Sequence, residues 1–235
     1  MQNWSYPMSN LTNEINPWEA YKKVIQSKFP SILNQLNAPA TDEQITELEA
    51  KIGLLLPEQF KQLYKINNGE KQEKLCGILL GFHLYSLEDI LREWTAWKEV
   101  REELSEADLN DMSECATSAP LNYIQKRYSI PQWIPLCGDS DGNHIGLDLA
   151  PDSWGTPGQI ITFGRDEDDK IVVAKDLYSF VKRLHRITNS DHFAITKEED
   201  EDVISLNDYN HLIDYLKSED CIKENPFLEG FGGII

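Results

Sequence analysis

The first part of the chain places apolar side chains at helical spacing in three separate segments. The first segment begins with an N-cap residue and a proline, Asn16 and Pro17, and runs to about Lys28. The second begins with the capping box of residues 41–44, and the third begins at Pro57. The beginning of the chain is therefore predicted to be helical.

The pattern changes after Gly77, where residues 78–84 alternate between two sets of side chains. A period of two predicts a strand. Ser86 then caps a further helical stripe, which extends toward Leu104. The polar stretch 105–118 fits either a loop or a weak helix.

Four short segments with strand character follow, separated by Asp-Gly, Pro and Gly turn signals. They span residues 133–137, 143–149, 159–164 and 171–174. Connections this short favour antiparallel pairing. Asp176 can cap a last core helix that returns to cover the sheet. The predicted fold class is α+β.

The end of the chain has a different composition. An acidic run, Glu198–Asp202, precedes Ser205 and apolar residues at helical spacing as far as Leu216. This pattern predicts an appended helix with a mobile approach. The final segment, residues 227–235, is too apolar for an indifferent tail, so it either docks on its own domain, which we favour, or binds a partner.

The net charge of the chain limits the classes of partner that we expect. Forty Asp and Glu stand against 22 Lys and Arg over 235 residues, for a formal net charge of −18. Such a field repels phosphate backbones and anionic lipids, which argues against nucleic acid and membrane partners. It would speed the encounter with a basic protein, although net charge can also serve solubility alone.

Neither a secretory signal nor a membrane span is predicted. The amino terminus has no basic segment followed by an apolar stretch, and the apolar runs are far shorter than the roughly 20 residues that cross a bilayer. The four cysteines are scattered without a Cys-x-x-Cys pair, which favours free thiols. We therefore expect a cytoplasmic protein.

One segment offers candidate chemistry. Residues 139–143 resemble the opening of a calcium loop, but the glycine is misplaced and Ala150 stands where the loop needs a glutamate. Asp141-Gly142 is better explained as a hairpin turn.

The next strand adds His144 and Asp148 on one face. With Asp139, Asp141 and Asp152 nearby in sequence, these side chains could bind a divalent metal or do acid–base chemistry. We favour a solvated outer face, because no nucleophile and no phosphate-binding glycine loop accompany them. No cofactor is predicted.

Two further features suggest a surface. Trp154 lies in a Gly- and Pro-rich loop, where it either binds a partner or anchors the loop. The acidic stretch of Asp166, Glu167 and Asp168 is either a simple hairpin tip or a patch suited to a lysine-rich partner.

The order of these motifs resembles the SUKH superfamily, which includes yeast cell-wall assembly and glucan-synthesis regulators and many bacterial immunity proteins. The resemblance covers roughly residues 39–186. It is carried by Thr41 to Gln44, Leu55-Leu56-Pro57, Phe60, Leu63, Tyr64, Asn68-Gly69, Ile78 to Phe82, Ser86-Leu87, Trp133 to Leu136, Asp141 to Asn143, Leu147-Asp148, Gly158 to Ile161 and Ser179-Phe180.

The resemblance implies helices packed against a strongly bent antiparallel sheet, with a groove for protein partners and no catalytic residues. Outside the shared pattern we predict an extra N-terminal helix and a C-terminal helical extension. The predicted parts are an N-terminal helical extension (1–38), a core domain (39–187) and an acidic linker with a helix and an apolar tail (188–235).

Three functions follow as hypotheses. The first is a non-catalytic immunity protein that neutralises a basic, nuclease-type toxin, and the second is a regulatory scaffold in cell-wall or glucan synthesis. The third is a metal-dependent hydrolase. The residues predicted to contact a partner are Asp139, Asp141, His144, Asp148, Asp152, Trp154, Asp166, Glu167 and Asp168.

Overall fold

The computed structural model describes residues 15–71, 77–139, 141–198, 201–218 and 221. The helices are α1 (Pro17–Lys28), α2 (Asp42–Ile52), α3 (Glu58–Tyr64), α4 (Leu87–Glu103), α5 (Glu106–Glu114), α6 (Leu177–Thr188) and α7 (Leu212–Lys217), with a 3-10 helix at Ile32–Gln35. The strands are β1 (His83–Leu84), β2 (Thr117–Ala119), β3 (Trp133–Gly138), β4 (Asn143–Asp148), β5 (Gln159–Gly164), β6 (Asp169–Ala174), β7 (Phe193–Glu198) and β8 (Glu201–Leu206). The predicted apolar segment 227–235 and Cys76 lie outside the described residues.

The predicted helices begin where their caps indicate. The Asn16 side chain accepts a hydrogen bond from the backbone N–H of Trp18, at 2.9 Å. Thr41 and Gln44 form the reciprocal capping box, and Gly53 ends α2 in the left-handed conformation, with φ of 73°. The helix alternative for residues 105–118 is also confirmed, because Ser105 caps α5.

The main sheet has the order β1-β3-β4-β5-β6-β2. All its pairings are antiparallel except β2 with β6, which is parallel and was not predicted. The pairings of β3 with β4 and of β5 with β6 each contain a register shift, of the kind that bends strands. The α+β class is therefore confirmed.

Both faces of this sheet are buried. The helices cover one face, where the larger hydrophobic cluster lies. A second cluster, centred on Ile124, Trp133 and Phe163, fills the other face. Its cover is the segment 116–132, held down by hydrogen bonds such as that from Trp94 Nε1 to the Pro131 carbonyl, at 2.8 Å. The predicted solvated outer face is therefore wrong.

The predicted strand 78–84 is mostly a tight turn, and only His83 and Leu84 pair as a strand. Gly77 has φ of 63°, and a Cβ there would lie 2.4 Å from the backbone of Gly81. The buried Glu70 carboxylate holds the turn by accepting from the N–H groups of Ile78 and Leu84, at 3.1 and 2.7 Å. The turn is buried on every side, so it needs apolar residues along its whole length. In the sequence, these residues look like the alternating pattern of a strand.

The predicted C-terminal helix begins later than expected. Most of the segment from Phe193 to Leu206 forms the β7–β8 hairpin, and only Leu212–Lys217 is helical. Ile204 and Leu206 pack into the larger cluster. The helical spacing that predicts this helix extends from Leu206 to Leu216, but only its second half is helical, and the expected approach to the helix forms the hairpin instead.

Helix α1 belongs to the same hydrophobic cluster as the sheet, although it precedes the predicted core domain. Trp18, Tyr21 and Ile25 are buried, and the Tyr21 hydroxyl donates to the Ile78 carbonyl. The predicted domain boundaries stay a prediction.

Over the described residues, no helix combines the length and hydrophobicity required to cross a bilayer.

Candidate functional site

The predicted contact residues lie at opposite ends of the main sheet. Asp139 and Asp141 belong to the β3–β4 turn and residues 166–168 to the β5–β6 turn, and antiparallel pairing puts these two turns at the same end. Residues 152–154 lie in the β4–β5 loop at the other end. Because the six-residue β4 separates the ends by about 17 Å, those predicted residues that are exposed form two separate surfaces.

Asp139 organises the first end. Its carboxylate accepts hydrogen bonds from the backbone N–H groups of Asp141 and Asn143, at 2.8 and 2.9 Å, and pairs with His211 Nε2 at 3.1 Å. Burial opposes ionisation, but these hydrogen bonds hold the pKa of Asp139 well below its usual range. Asp139 therefore supports the turn rather than offering a free carboxylate.

The two turns are joined at this end. The Asn143 side chain accepts from the backbone N–H of Asp166, at 3.1 Å. Asp141, Asp166 and Asp168 are exposed and form the acidic tips of the turns. Glu167 is instead buried and pairs with Lys217 Nζ at 2.8 Å, so the expectation that it belongs to a surface patch is wrong.

A cleft of about 310 Å³ opens beside Asp139. Its walls are the turn 80–82, strand β8 and residues 209–212, and its lining is mixed apolar and polar. The His211 ring packs edge-on against Phe82, with ring centroids 4.7 Å apart. His211 and Lys217 tie the C-terminal part of the chain to the acidic turns, and neither residue carried a local sequence signal for this role.

The other end presents Trp154, which is 64% exposed. Its backbone N–H donates to the Asn122 carbonyl at 3.0 Å, which places it beside the exposed Leu121. The neighbouring Asp152 is half-buried, and its carboxylate accepts from the backbone N–H of Ser153. Exposure of the ring favours the partner-binding alternative over loop anchoring.

Asp148 points inward from this end. Its carboxylate accepts from Gln159 Nε2 at 2.9 Å and from the backbone N–H of Ala150 at 3.1 Å. Burial raises its pKa to about 6, against the effect of these hydrogen bonds. This side chain has no exposed surface, so it does not contact a partner directly.

His144 is enclosed by rings. Its Nδ1 lies 3.2 Å from the Tyr85 hydroxyl, and Trp97 and Phe163 pack around the imidazole. Burial lowers its pKa to about 4. Like Asp148, it is interior rather than part of a surface.

The geometry does not favour the hydrolase hypothesis. Asp139 precedes β4 and Asp148 is its last residue, so the two carboxylates lie at opposite ends of the strand, and His144 faces aromatic rings. Across the described ranges of the chain, no group of three or more His, Cys, Asp and Glu side chains is placed to hold a metal ion.

Comparison with known proteins identifies a family. Residues 39–183 match the model of the SMI1 / KNR4 family (SUKH-1). The chain is 29% identical over 230 residues to the glucan synthesis regulatory protein of Neurospora crassa, covering 83% of this chain and 43% of that protein. It is 32% identical over 180 residues to the cell wall assembly regulator SMI1 of Saccharomyces cerevisiae, covering 65% and 36%.

A third relative is the cell wall biosynthesis/cell cycle regulator smi1 of Schizosaccharomyces pombe, 32% identical over 170 residues, with 70% and 34% covered. The chain thus spans less than half the length of these curated relatives. The matched residues 39–183 make up more than half of the chain and include the whole main sheet. The chain therefore belongs to the SMI1/KNR4 (SUKH-1) family.

Proposed function

We propose that this chain is a non-catalytic, protein-binding regulatory module in cell-wall or glucan synthesis. The observation that carries the proposal is the family match over residues 39–183, together with relatives that are named as regulators of glucan synthesis and of cell-wall assembly. The two ends of the sheet support it, because they offer exposed acidic tips and an exposed Trp154 for contact.

The hypothesis of toxin immunity has less support than this regulatory role. The relatives carry names of cell-wall regulators, and none of those reported above is named as an immunity protein. Strong acidity fits either role, because a basic partner would be attracted in both. We propose that the partner is a basic protein.

Deletion of the gene in the source organism tests the regulatory role. We expect the deletion strain to change its sensitivity to a dye that binds cell-wall polysaccharide, with no toxin present. Reintroduction of the unaltered gene is the control and should restore the original sensitivity. A deletion strain with unchanged wall composition and unchanged dye sensitivity would contradict the proposal.

A further inference from the structure

One face of helix α5 is directed toward the rest of the protein but is not packed into the hydrophobic core. None of its side chains is buried. Glu106, Leu109, Asn110 and Ser113 share one face at helical spacing and line a groove of about 350 Å³. A helix of this length is only marginally stable alone, so an open face of this kind is suited to a partner.

The other wall of the groove is the segment 127–130, which covers the sheet. Two hydrogen bonds cross between the walls, from the Tyr128 N–H to Ser113 Oγ at 3.0 Å and from Arg127 Nη1 to Asn110 Oδ1 at 3.3 Å. The Tyr128 ring is anchored against Trp97, with centroids 5.5 Å apart. The groove is therefore preformed.

The apolar part of the lining consists of Leu109, Tyr128 and Ile130. Met112 adds exposed apolar surface on the adjacent side of α5, with 38% of its surface accessible. An apolar strip between polar borders is the arrangement that receives the apolar face of an amphipathic segment.

The α5 side of the groove is strongly acidic, and Lys126 and Arg127 are exposed on the other side. Residues 99–114 contain one base and seven acids, all of them exposed: Glu99, Glu102, Glu103, Glu106, Asp108, Asp111 and Glu114. The base, Arg101, is turned inward, and its Nη1 donates to Ser129 Oγ at 2.8 Å. The outward field of this stretch is therefore negative.

The acidic hairpin tip lies on the same side. Thr117, just after α5, donates from its hydroxyl to the Asp169 carboxylate at 2.8 Å, because β2 runs beside β6. Burial and the nearby carboxylates of Asp168 and Asp166 raise the pKa of Tyr128. Arg127 is the cation in the groove lining, and Asn110 holds it in place.

We propose that the groove between α5 and residues 127–130 binds a basic amphipathic segment of a partner protein. Its apolar side chains enter the groove beside Leu109, and its Lys and Arg side chains face the acidic rim. This inference rests on the proposed function, since it names the partner class of the same module. Charge complementarity selects this occupant, because a second copy of a chain with net charge −18 would be repelled.

The test uses the full chain and a fluorescent synthetic peptide of about 18 residues, with Leu at helical spacing and Lys elsewhere. We expect the peptide to bind and to slow hydrogen exchange in residues 106–114 and 127–130. A peptide with the same composition in scrambled order should bind at least about tenfold more weakly, because it lacks an apolar face.

Paired charge reversals localise the site. Glu106→Lys with Glu114→Lys should weaken binding by about tenfold or more, because the rim then repels the peptide. Glu43→Lys with Glu47→Lys, two exposed acids of α2, makes the same change in net charge and should alter affinity by less than about twofold. Leu109→Ser should also weaken binding, and since α5 buries no side chain, circular dichroism should stay unchanged.

The inference would be overturned by an absence of peptide binding, by equal weakening with both charge pairs, or by protection elsewhere in the chain. A dimer that Leu109→Ser dissociates would also overturn it in favour of a second copy. The deletion strain tests the regulatory role independently. Unchanged wall sensitivity in that strain would contradict the regulatory role without changing the result of the peptide-binding experiment.

Discussion

At the scale of single residues, His144 and Asp148 are the main departure from a surface site. Both lie on the same face of β4, and both are almost completely buried. Burial penalises the charged form of each side chain, so the pKa of the base falls and that of the acid rises. The two residues therefore give the free energy of unfolding opposite dependences on pH.

For Asp148, stability is greatest when the carboxyl is protonated. The native pKa of about 6 exceeds the ordinary value, so this stability is fully present below about pH 4 and is lost as the pH rises through 6. Asp148→Asn should therefore destabilise the protein by about 2 kcal/mol less at pH 7.5 than at pH 4.5. Urea unfolding of both proteins at the two pH values measures this difference, and an equal cost at both would contradict it.

For His144 the sign is reversed. The native pKa of about 4 lies below the ordinary value, so its stability is present above about pH 6.5 and is lost as the pH falls toward 4. Relative to His144→Phe, the unaltered protein should lose about 2 kcal/mol between pH 7.5 and pH 5. Loss of the Tyr85 hydrogen bond adds a cost that does not depend on pH. The same urea titrations detect the change, and parallel curves for the two proteins would refute it.

The sequence predicts where these two residues lie on the strand but not that they are buried. Alternation along β4 correctly separates Ile145 and Leu147 from His144 and Asp148. It does not say what covers the second face. That cover is the segment 116–132, whose apolar residues have no regular period. Such long-range packing lies beyond a local pattern.

At the scale of elements, a cap shows where a helix begins but not how much it contributes to the core. Helices α4 and α5 both begin with a capping box, at Ser86 and Ser105. Helix α4 buries Ile90 and Trp94, whereas α5 buries none of its side chains. The same substitution should therefore have different effects on the two helices.

Ser86→Ala should cost about 1 kcal/mol of global stability, because it removes a cap from a helix that is packed into the core. Ser105→Ala is the matched control and should leave global stability within about 0.5 kcal/mol. It should instead speed hydrogen exchange of the α5 amides. Urea unfolding combined with exchange measurements separates the two effects, and an equal global cost would contradict the assignment of α5 as peripheral.

Elements fixed by local caps and turns were predictable, whereas those formed by distant contacts were not. The β3–β4 hairpin follows from Asp141-Gly142, and Gly142 has φ of 92°. The turn after Gly77 depends instead on the buried Glu70, which lies outside the segment and whose pKa is raised by burial to about 7. Strand β2 likewise forms only because β6 lies beside it.

At the scale of the whole molecule, the residues that match the family and the residues of the hydrophobic core do not coincide. The match begins at residue 39, but the larger hydrophobic cluster includes Trp18, Tyr21 and Ile25 of α1. Trp18 is fully buried, and its Nε1 donates to Asn67 Oδ1 at 3.1 Å. Helix α1 thus packs as an integral part of the core rather than as an appendage.

Trp18→Ala should therefore destabilise the protein by about 3–5 kcal/mol, the cost of removing a buried aromatic side chain. Trp154→Ala removes the same atoms from an exposed loop and should change stability by less than about 0.5 kcal/mol. Unfolding in urea, followed by circular dichroism because both variants alter tryptophan fluorescence, compares them directly. Equal small effects would show that α1 is an extension independent of the core, as the predicted boundary at residue 38 implies.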